Sequence, residues 1–387
     1  MFHGPAFQGV TELTATGDAH VRGVLTTPSA PGALLDNVGQ LLGYWILATL
    51  TERTLVFPVR VRHIRFFGPH PRPGTRVECL IRIVSVTDAT VEADVQLLVD
   101  GGVWAEIGGW QDHRFDSSTE TKAQERFPER HTLSDAQQGG WVLLFDRCHD
   151  LASRDLVMRR HLGTAEREDH GRKPPAGRRQ WLLGRIAAKD AVRRWLWEHG
   201  EGPVFPAEIR VDNDAAGRPR VTGVHGRALP GLDVSLAHRA EAAVALVRPR
   251  GTDGRPAAVG IDIEEVAERP ATTLAAALDP AERELLAALC ARTGEPESLW
   301  FTRFWAAKEA VAKAEGTGLR GRPRDFAVTE ARPDHLTVVA AGRRHPVRCR
   351  GVANPEGLPE REYVVAWTTG PAAGGDHPED ERQESQQ

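Results

Sequence analysis

Three carboxylates and two lysines in this chain stand at spacings that can bring them to one point. Val259-Gly260-Ile261-Asp262-Ile263-Glu264 reads as a β-branched strand. Its two acids, at i and i+2, lie on one side of such a strand. Further along, Phe304-Trp305-Ala306-Ala307-Lys308-Glu309-Ala310-Val311-Ala312-Lys313 reads as a helix. Glu309 and Lys313 are four residues apart and share a face of it. Carboxylate oxygens are hard ligands that suit Mg²⁺, an ion that keeps several waters and shares its shell with substrate phosphates. Lysines suit the phosphates themselves. The chemistry these residues spell together is a metal-assisted phosphoryl transfer, with Asp262, Glu264 and Glu309 as candidate metal ligands. Taken singly, each reads as well as an ordinary surface acid. Lys308 and Lys313 alone would read as helix-surface cations paired with carboxylates.

The elements that must position these residues can be read coarsely. Residues 34–50 form a long apolar helix, followed by strand-like runs at 54–67, 76–87, 90–99 and 102–113. Turn signals at Gly68-Pro69, Pro73-Gly74 and Asp100-Gly101-Gly102 punctuate them. A polar, irregular stretch after Asp116 reads as a linker over 119–138. Beyond it come a helix at 179–199, strands near 208–212 and 233–247, and a strand at 257–264. Helices at 280–290 and 299–314 and strands near 326–329, 336–341 and 363–368 complete the pattern. Residues 371–387 are dominated by Gly, Pro, Asp, Glu and Gln. Such a tail buries too little apolar area to order itself. The expected domains are therefore 1–118, the linker, and 139–370 in two halves, about 139–248 and 249–370, with a disordered tail.

Gly-Ile-Asp-Ile-Glu at 260–264 followed by Trp-x-x-Lys-Glu-x-x-x-Lys at 305–313 resembles the signature of 4′-phosphopantetheinyl transferases. The resemblance is to the larger, pseudodimeric class that serves secondary metabolism. Gly217-Arg218-Pro219 matches the family's Gly-Lys/Arg-Pro turn, and Val234-Ser235-Leu236-Ala237-His238 its Ser-His segment, with Ala237 in place of the usual Ser. Trp181-Leu182-Leu183-Gly184-Arg185 resembles its early helix, so the likeness runs from about 141 to 367. It implies a pseudo-twofold α+β fold that moves 4′-phosphopantetheine from coenzyme A to a serine of an acyl carrier protein. Mg²⁺ would be held by Asp262, Glu264 and Glu309. Glu309 would act as general base, directly or through a water held by the metal. Lys313 and Asp262 would complete the catalytic set, and Lys313 and Lys308 would meet the pyrophosphate. His238 would meet a phosphate of coenzyme A, and Arg218 its nucleotide portion. Among Arg179, Arg185 and Lys189, some would face the 3′-phosphate. Glu282 matches a further family carboxylate, and a plain first-turn Glu set against the helix dipole is its rival reading.

The first unit resembles something else. Phe2-His3-Gly4-Pro5-Ala6-Phe7-Gln8-Gly9 is similar to the opening of the second hotdog of polyketide synthase dehydratases. Leu34-Leu35-Asp36-Asn37-Val38-Gly39-Gln40 matches the helix that carries their catalytic acid. Asp36 would be that acid and Gln40, one turn on, its positioning residue. The partner hotdog with the catalytic His is missing, so the site would be vestigial or incomplete. His63, His70 and His113 show no metal-ligand spacing. A dehydratase followed by a transferase resembles the C-terminal end of enediyne-type polyketide synthases, which implies polyketide or antibiotic biosynthesis and the carrier protein of that synthase as partner. The alternative is a docking or dehydratase subunit whose hotdog is completed by a partner, either the missing N-terminal hotdog or a second copy in a homodimer.

Bulk properties bound the rest. With 387 residues, 41% apolar and 26% charged, the chain is ordinary globular protein. A net charge of −4 gives no reason to expect nucleic acid or an anionic membrane. Four cysteines without C-x-x-C spacing read as thiols in a reducing compartment. The longest apolar stretch, 39–50, is too short to span a bilayer, and no signal peptide follows Met1, so a cytoplasmic location is expected.

Overall fold

A computed structural model describes residues 4–115, 122–148, 150–251 and 258–370. Two compact units divide the chain, one of 1–122 with 148–154, the other of 123–147 with 155–387.

The first unit is a sheet wrapped on one helix. A hairpin, β1 (Val10–Gly17) and β2 (His20–Thr26), which no strand signal before residue 34 anticipated, leads into the expected helix, α1 (Ala33–Thr49). The expected strand at 54–67 is two, β3 (Val56–Arg60) and β4 (His63–Phe66), and β5 (Arg76–Val86), β6 (Thr90–Val99) and β7 (Gly102–Arg114) follow as read. All pair antiparallel in the order β1-β2-β5-β6-β7-β3, with β4 also on β7. Period-two alternation sends Val77, Cys79, Ile81 and Ile83 of β5 and Val91, Ala93, Val95 and Leu97 of β6 inward, against Leu34, Val38, Leu41, Leu42, Trp45 and Ile46 of α1. The expected hotdog architecture is what the chain adopts.

The second unit does not begin where the linker was expected to end. Within 119–138, α2 (Lys122–Arg126) and β8 (Asp135–Ala136) belong to it. Ser134 and Gln124 are buried there. Leu133 N (3.1 Å), Ser134 N (3.0 Å) and Ser134 Oγ (2.9 Å) all donate to the buried Asp190 carboxylate. Polarity misled here: these polar groups are partners for buried charges, not solvated linker. Residues 116–121 and the tail from 371 lie outside the described residues.

Two halves of this unit repeat one element order. The first runs β9 (Trp141–Phe145), α3 (Leu151–His161), α4 (Thr164–Arg172), α5 (Pro175–Glu198), β10 (Ile209–Asn213), β11 (Pro219–Gly223), β12 (Leu232–Arg239) and β13 (Ala242–Pro249). The second runs β14 (Ile261–Glu265), α6 (Ala271–Ala277), α7 (Pro280–Thr293), α8 (Glu297–Glu315), β15 (Phe326–Arg332), β16 (His335–Ala340), β17 (Arg343–Ala353) and β18 (Glu362–Thr368). β13 pairs antiparallel with β9 and β12 as β18 does with β14 and β17. A buried ion pair marks the repeat. Lys189 of α5 bonds Glu166 of α4 (2.5 Å) and the His161 carbonyl (2.6 Å), while Val211 N of β10 donates to Glu166. Lys308 of α8 bonds Glu282 of α7 (2.8 Å) and the Ala277 carbonyl (2.9 Å), while Val328 N of β15 donates to Glu282. Each half has its own apolar core. A third cluster, including Trp141, Ala237, Ile261, Ile263 and Trp367, joins them.

Candidate active site

Gly260 determines how close β14 comes to α8. A Cβ there would lie 1.8 Å from the Ala310 carbonyl oxygen, so only glycine permits the approach. The approach brings Asp262 and Glu264 of β14 beside Glu309 and Lys313 of α8. β12 lies along the other side of β14, where Ile261 N donates to Ser235 Oγ at 3.1 Å.

Lys313 Nζ sits at the junction. It donates to Asp262 Oδ1 at 2.7 Å, to the Ile261 carbonyl at 3.1 Å and to the Leu236 carbonyl at 3.3 Å. Asp262 is 6% exposed, and its other oxygen, Oδ2, is buried with no hydrogen-bond partner. A buried carboxylate oxygen left unmatched is costly, and a cation at that point would complete it. Glu309 has its carboxyl pushed up to about 7, by burial first and then by the negative charge of Asp262, with Lys313 opposing and Glu264 adding to the rise. Burial and Asp262 also raise Glu264, against the pull of Arg239, Arg269 and Lys313. Asp262 thus acts on both of the other carboxylates. Even so, among the described residues no three acids, histidines or cysteines are gathered into a ready-made metal cage. The expected three-carboxylate ligand set is therefore not preformed. Two of its members are held by cations, Asp262 by Lys313 and Glu264 by Arg239 at 3.7 Å. The donors present are all oxygen, and Asp262 Oδ2 lacks a partner. That fits a small hard cation held by one or two carboxylates and completed by phosphate.

Next to this cluster opens a cavity of about 520 Å³ lined by both halves, among them Trp181, Arg185, Arg218, His238, Lys313 and Gly316. Four of the five residues expected to hold the cofactor line it: Arg185, Arg218, His238 and Lys313. Arg185 Nη2 donates to Asn213 Oδ1 at 2.9 Å, and its guanidinium lies 4.8 Å from the centre of the Trp181 ring. Its Nε is buried without a partner. Arg218 leaves the turn that Gly217 opens at φ +84°, and its Nη2 donates to the Gly316 carbonyl at 3.2 Å. Gly316 holds a left-handed φ of +67°, which favours glycine, and the Arg218 guanidinium packs where its Cβ would be. Burial first, then Lys313, lowers the His238 pKa.

Lys308, the fifth, is not at the cavity. Its ammonium is fully buried among Glu282 and the carbonyls of Ala277 and Pro323. Helical spacing could not reveal this, because the faces of α8 on both sides of Glu309 are covered. Glu282, which also accepts from Asp279 N in a capping box, is likewise structural. So is Lys189, buried on Glu166, and Arg179, whose Nε is bonded to Asp146 at 2.5 Å. Ala237 faces the joining cluster and not the cavity, so a serine hydroxyl there would not reach a ligand in it. Trp181, Arg220 and Arg250 line the cavity and were not singled out from sequence as binding groups; an aromatic one turn before Arg185 was the available signal.

In the hotdog, Gln40 Nε2 donates to Asp36 Oδ2 at 2.8 Å and to the Phe7 carbonyl at 2.7 Å. The expected acid and its positioning residue are together on α1 beside the opening segment. His3 of that segment lies outside the described residues.

Comparison with known proteins agrees with both units. Residues 258–368 match the 4′-phosphopantetheinyl transferase superfamily. Residues 1–122 match the polyketide synthase dehydratase N-terminal domain, whose description names the first half of a dehydratase where the motifs resembled the second. Solved structures similar to this chain include the dehydratase domain of a mycocerosic acid synthase-like polyketide synthase, at 27% identity over 29% of this chain and 43% of that one, TM-score 0.25. The dehydratase heterocomplex from Xenorhabdus doucetiae matches at 14% identity over 32% and 92%, TM-score 0.25. The dehydratase domain from the Curacin polyketide synthase matches at 15% over 29% and 44%, TM-score 0.25. This chain thus spans less than half the length of two of these domains. A search of the curated proteins finds no match. No helix among the described residues is long and apolar enough to cross a membrane.

Proposed function

Since residues 258–368 carry a 4′-phosphopantetheinyl transferase superfamily domain and residues 1–122 a polyketide synthase dehydratase domain, we propose that the chain transfers 4′-phosphopantetheine from coenzyme A to a serine of an acyl carrier protein in polyketide biosynthesis. The observation that carries this is that Lys313, bonded to Asp262 and one turn from Glu309, lines a cavity together with Arg185, Arg218 and His238.

The cavity residues bind and orient the donor. Arg185, on its Trp181 platform, and His238 hold phosphate of the nucleotide end, and Arg218 holds the remainder of that end. Lys313 would meet the pyrophosphate at the edge of the cavity that it lines. Asp262, with Glu309, offers the oxygens for Mg²⁺, which when bound would neutralise the pyrophosphate and favour its cleavage. Glu309 would take the proton of the attacking serine hydroxyl, directly or through a water held by the metal. The serine oxygen forms a bond to the phosphorus that carries pantetheine, the bridging P–O bond breaks, and adenosine 3′,5′-bisphosphate leaves.

The test is direct. Full chain incubated with coenzyme A, Mg²⁺ and a panel of apo carrier proteins should add one phosphopantetheine mass to at least one of them. Asp262→Ala and Glu309→Ala should each abolish the addition with unchanged circular dichroism. Near-normal turnover in either variant would remove that residue from the site.

A second reading concerns the hotdog. The Asp36–Gln40–Phe7 arrangement supports a dehydratase acid awaiting a partner hotdog that supplies its histidine. A β-hydroxyacyl-carrier assay with the upstream synthase segment added tests it, and Asp36→Asn should abolish any dehydration found.

A further inference from the structure

Glu315, the last residue of α8, is out of place by ordinary helix chemistry. An acid in the last turn sits against the negative end of the helix dipole and is disfavoured there. Two side chains of β17 hold it. Arg343 Nη2 bonds Glu315 Oε2 and supplies the opposite charge. The buried His345 ring places Nε2 3.1 Å from Glu315 Oε1, out of line for a hydrogen bond. Between them the Glu315 side chain is 13% exposed. Arg343 follows a two-residue turn, Ala341 and Gly342, whose φ angles of +49° and +73° are both left-handed. Such a turn fixes the register of the hairpin. Arg343 and His345 are two residues apart, so they share one face of β17 and meet the same carboxylate.

The same helix end carries Arg218 of the first half. The last carbonyls of a helix lack partners within it. Here Arg218 Nη2 donates to those of Glu315 (3.4 Å) and Gly316 (3.2 Å). On its own side the backbone of Arg218 is fixed by the turn between β10 and β11, where Asp214 Oδ1 accepts from Ala216 N and Arg218 N, each at 2.9 Å. Where the guanidinium rests is therefore decided by α8. Arg218, Gly316, Thr317 and Gly318 all line the cavity, and Glu315 does not. Lys313, two residues before Glu315, is held separately by Asp262 and by the carbonyls of Ile261 and Leu236.

We propose that Glu315 is a positioning residue for recognition of the donor: held by Arg343 and His345, it fixes the end of α8 on which Arg218 rests. The proposal rests on the transfer reading and deepens it, because it ties donor affinity to a carboxylate outside the cavity. Released from β17, the last turn frays, as helix ends do. Its carbonyls then no longer hold Arg218 in one place, and ordering the guanidinium falls on the binding step. The reacting end keeps its own contacts through Lys313, so the loss appears in binding and not in the chemical step.

Steady-state kinetics with coenzyme A, together with calorimetric binding of adenosine 3′,5′-bisphosphate to the full chain, test this. Glu315→Ala should raise KM for coenzyme A and weaken the bisphosphate alike, by about fivefold, the order of one loosened hydrogen bond. Its kcat should stay within about twofold of wild type. Glu315→Gln, which can still accept from Arg343, should keep most of the affinity. In an Arg218→Ala background Glu315→Ala should add almost nothing, since the two act through one contact. Where Glu315→Ala melts early, Arg343→Ala combined with His345→Gln removes the hold from the β17 side and should give the same rise in KM. The proposal is overturned if Glu315→Ala leaves the affinity unchanged, or if it lowers kcat as much as it raises KM. It is also overturned if the Glu315→Ala penalty adds in full to that of Arg218→Ala. Wild-type protein that binds neither coenzyme A nor the bisphosphate would remove the transfer reading itself, an outcome distinct from these.

Discussion

At Glu309, burial and neighbouring charge convert an ordinary helix acid into a group that titrates near neutrality. Its carboxyl stands at about 7, against an ordinary value of 4.5. A divalent cation must displace whatever proton is there. Cation affinity should therefore fall about tenfold for each pH unit below 7 and level off above it. For the metal-free protein the sign is opposite. The folded form keeps a proton that the unfolded form has already lost, so stability declines as pH rises from about 4.5 through 7, and added Mg²⁺ restores it. Calorimetry at pH 6, 7 and 8 decides the first point, and a flat profile would take Glu309 out of the cation's shell. Lys313 and the nucleotide-end residues should separate in kinetics. Lys313→Ala should lower kcat more than it raises KM, because charge moves at the pyrophosphate during the reaction. His238→Ala and Arg218→Ala should mainly raise KM, by roughly tenfold for a lost charge-assisted bond. Equal losses of kcat in all three would refute this division.

Elements explain what the sequence could and could not disclose. Asp262 and Glu309 were legible because a period of two and a spacing of four fix their sides of a strand and a helix. Lys308, adjacent to Glu309, was not, because only tertiary packing shows that its face of α8 closes on α7 and β15. The same limit hid Lys189 in the first half. The β1–β2 hairpin was missed because β1 buries no side chain, and the long β17 because its inward positions, His345, Val347 and Cys349, are few and set among arginines. Lys308→Met or Glu282→Gln should cost about 3–5 kcal/mol of stability, since each strands a buried charge or removes its partner. Thermal unfolding measures this, and a shift too small to resolve would mean the pair is not what registers α8 against α7. Residual transfer at low temperature, with KM for coenzyme A unchanged, should distinguish this from loss of a ligand contact.

On the scale of the molecule, the two recognised units were legible from ordered motifs, and the boundary between them was not. Polar residues near 130 looked like a tether and are instead partners of buried groups. Arg193, fully buried, donates to the His131 carbonyl at 2.9 Å and bonds Asp190, which in turn accepts from Leu133 and Ser134. A chain begun at Ala136 should therefore melt well below one begun at Ala123, because Asp190 and Arg193 lose several partners at once. Parallel melting curves of the two truncations check this, and identical midpoints would restore the tether.

The repeated half-unit carries one more consequence. The counterpart of the acidic β14 is β9, whose residues Trp141, Val142, Leu143, Leu144 and Phe145 include no acid. The acid following the buried lysine of the first half, Asp190, is spent on Ser134, Leu133 and Arg193. The first copy of the repeated order thus supplies Trp181, Arg185, Arg218 and His238 to the cavity lining and no acid to the cluster formed by β14 and α8. On the proposed transfer reading, doubling the element order would not double the number of donor molecules held, and the first half is where recognition of different donors could diverge without touching the chemistry.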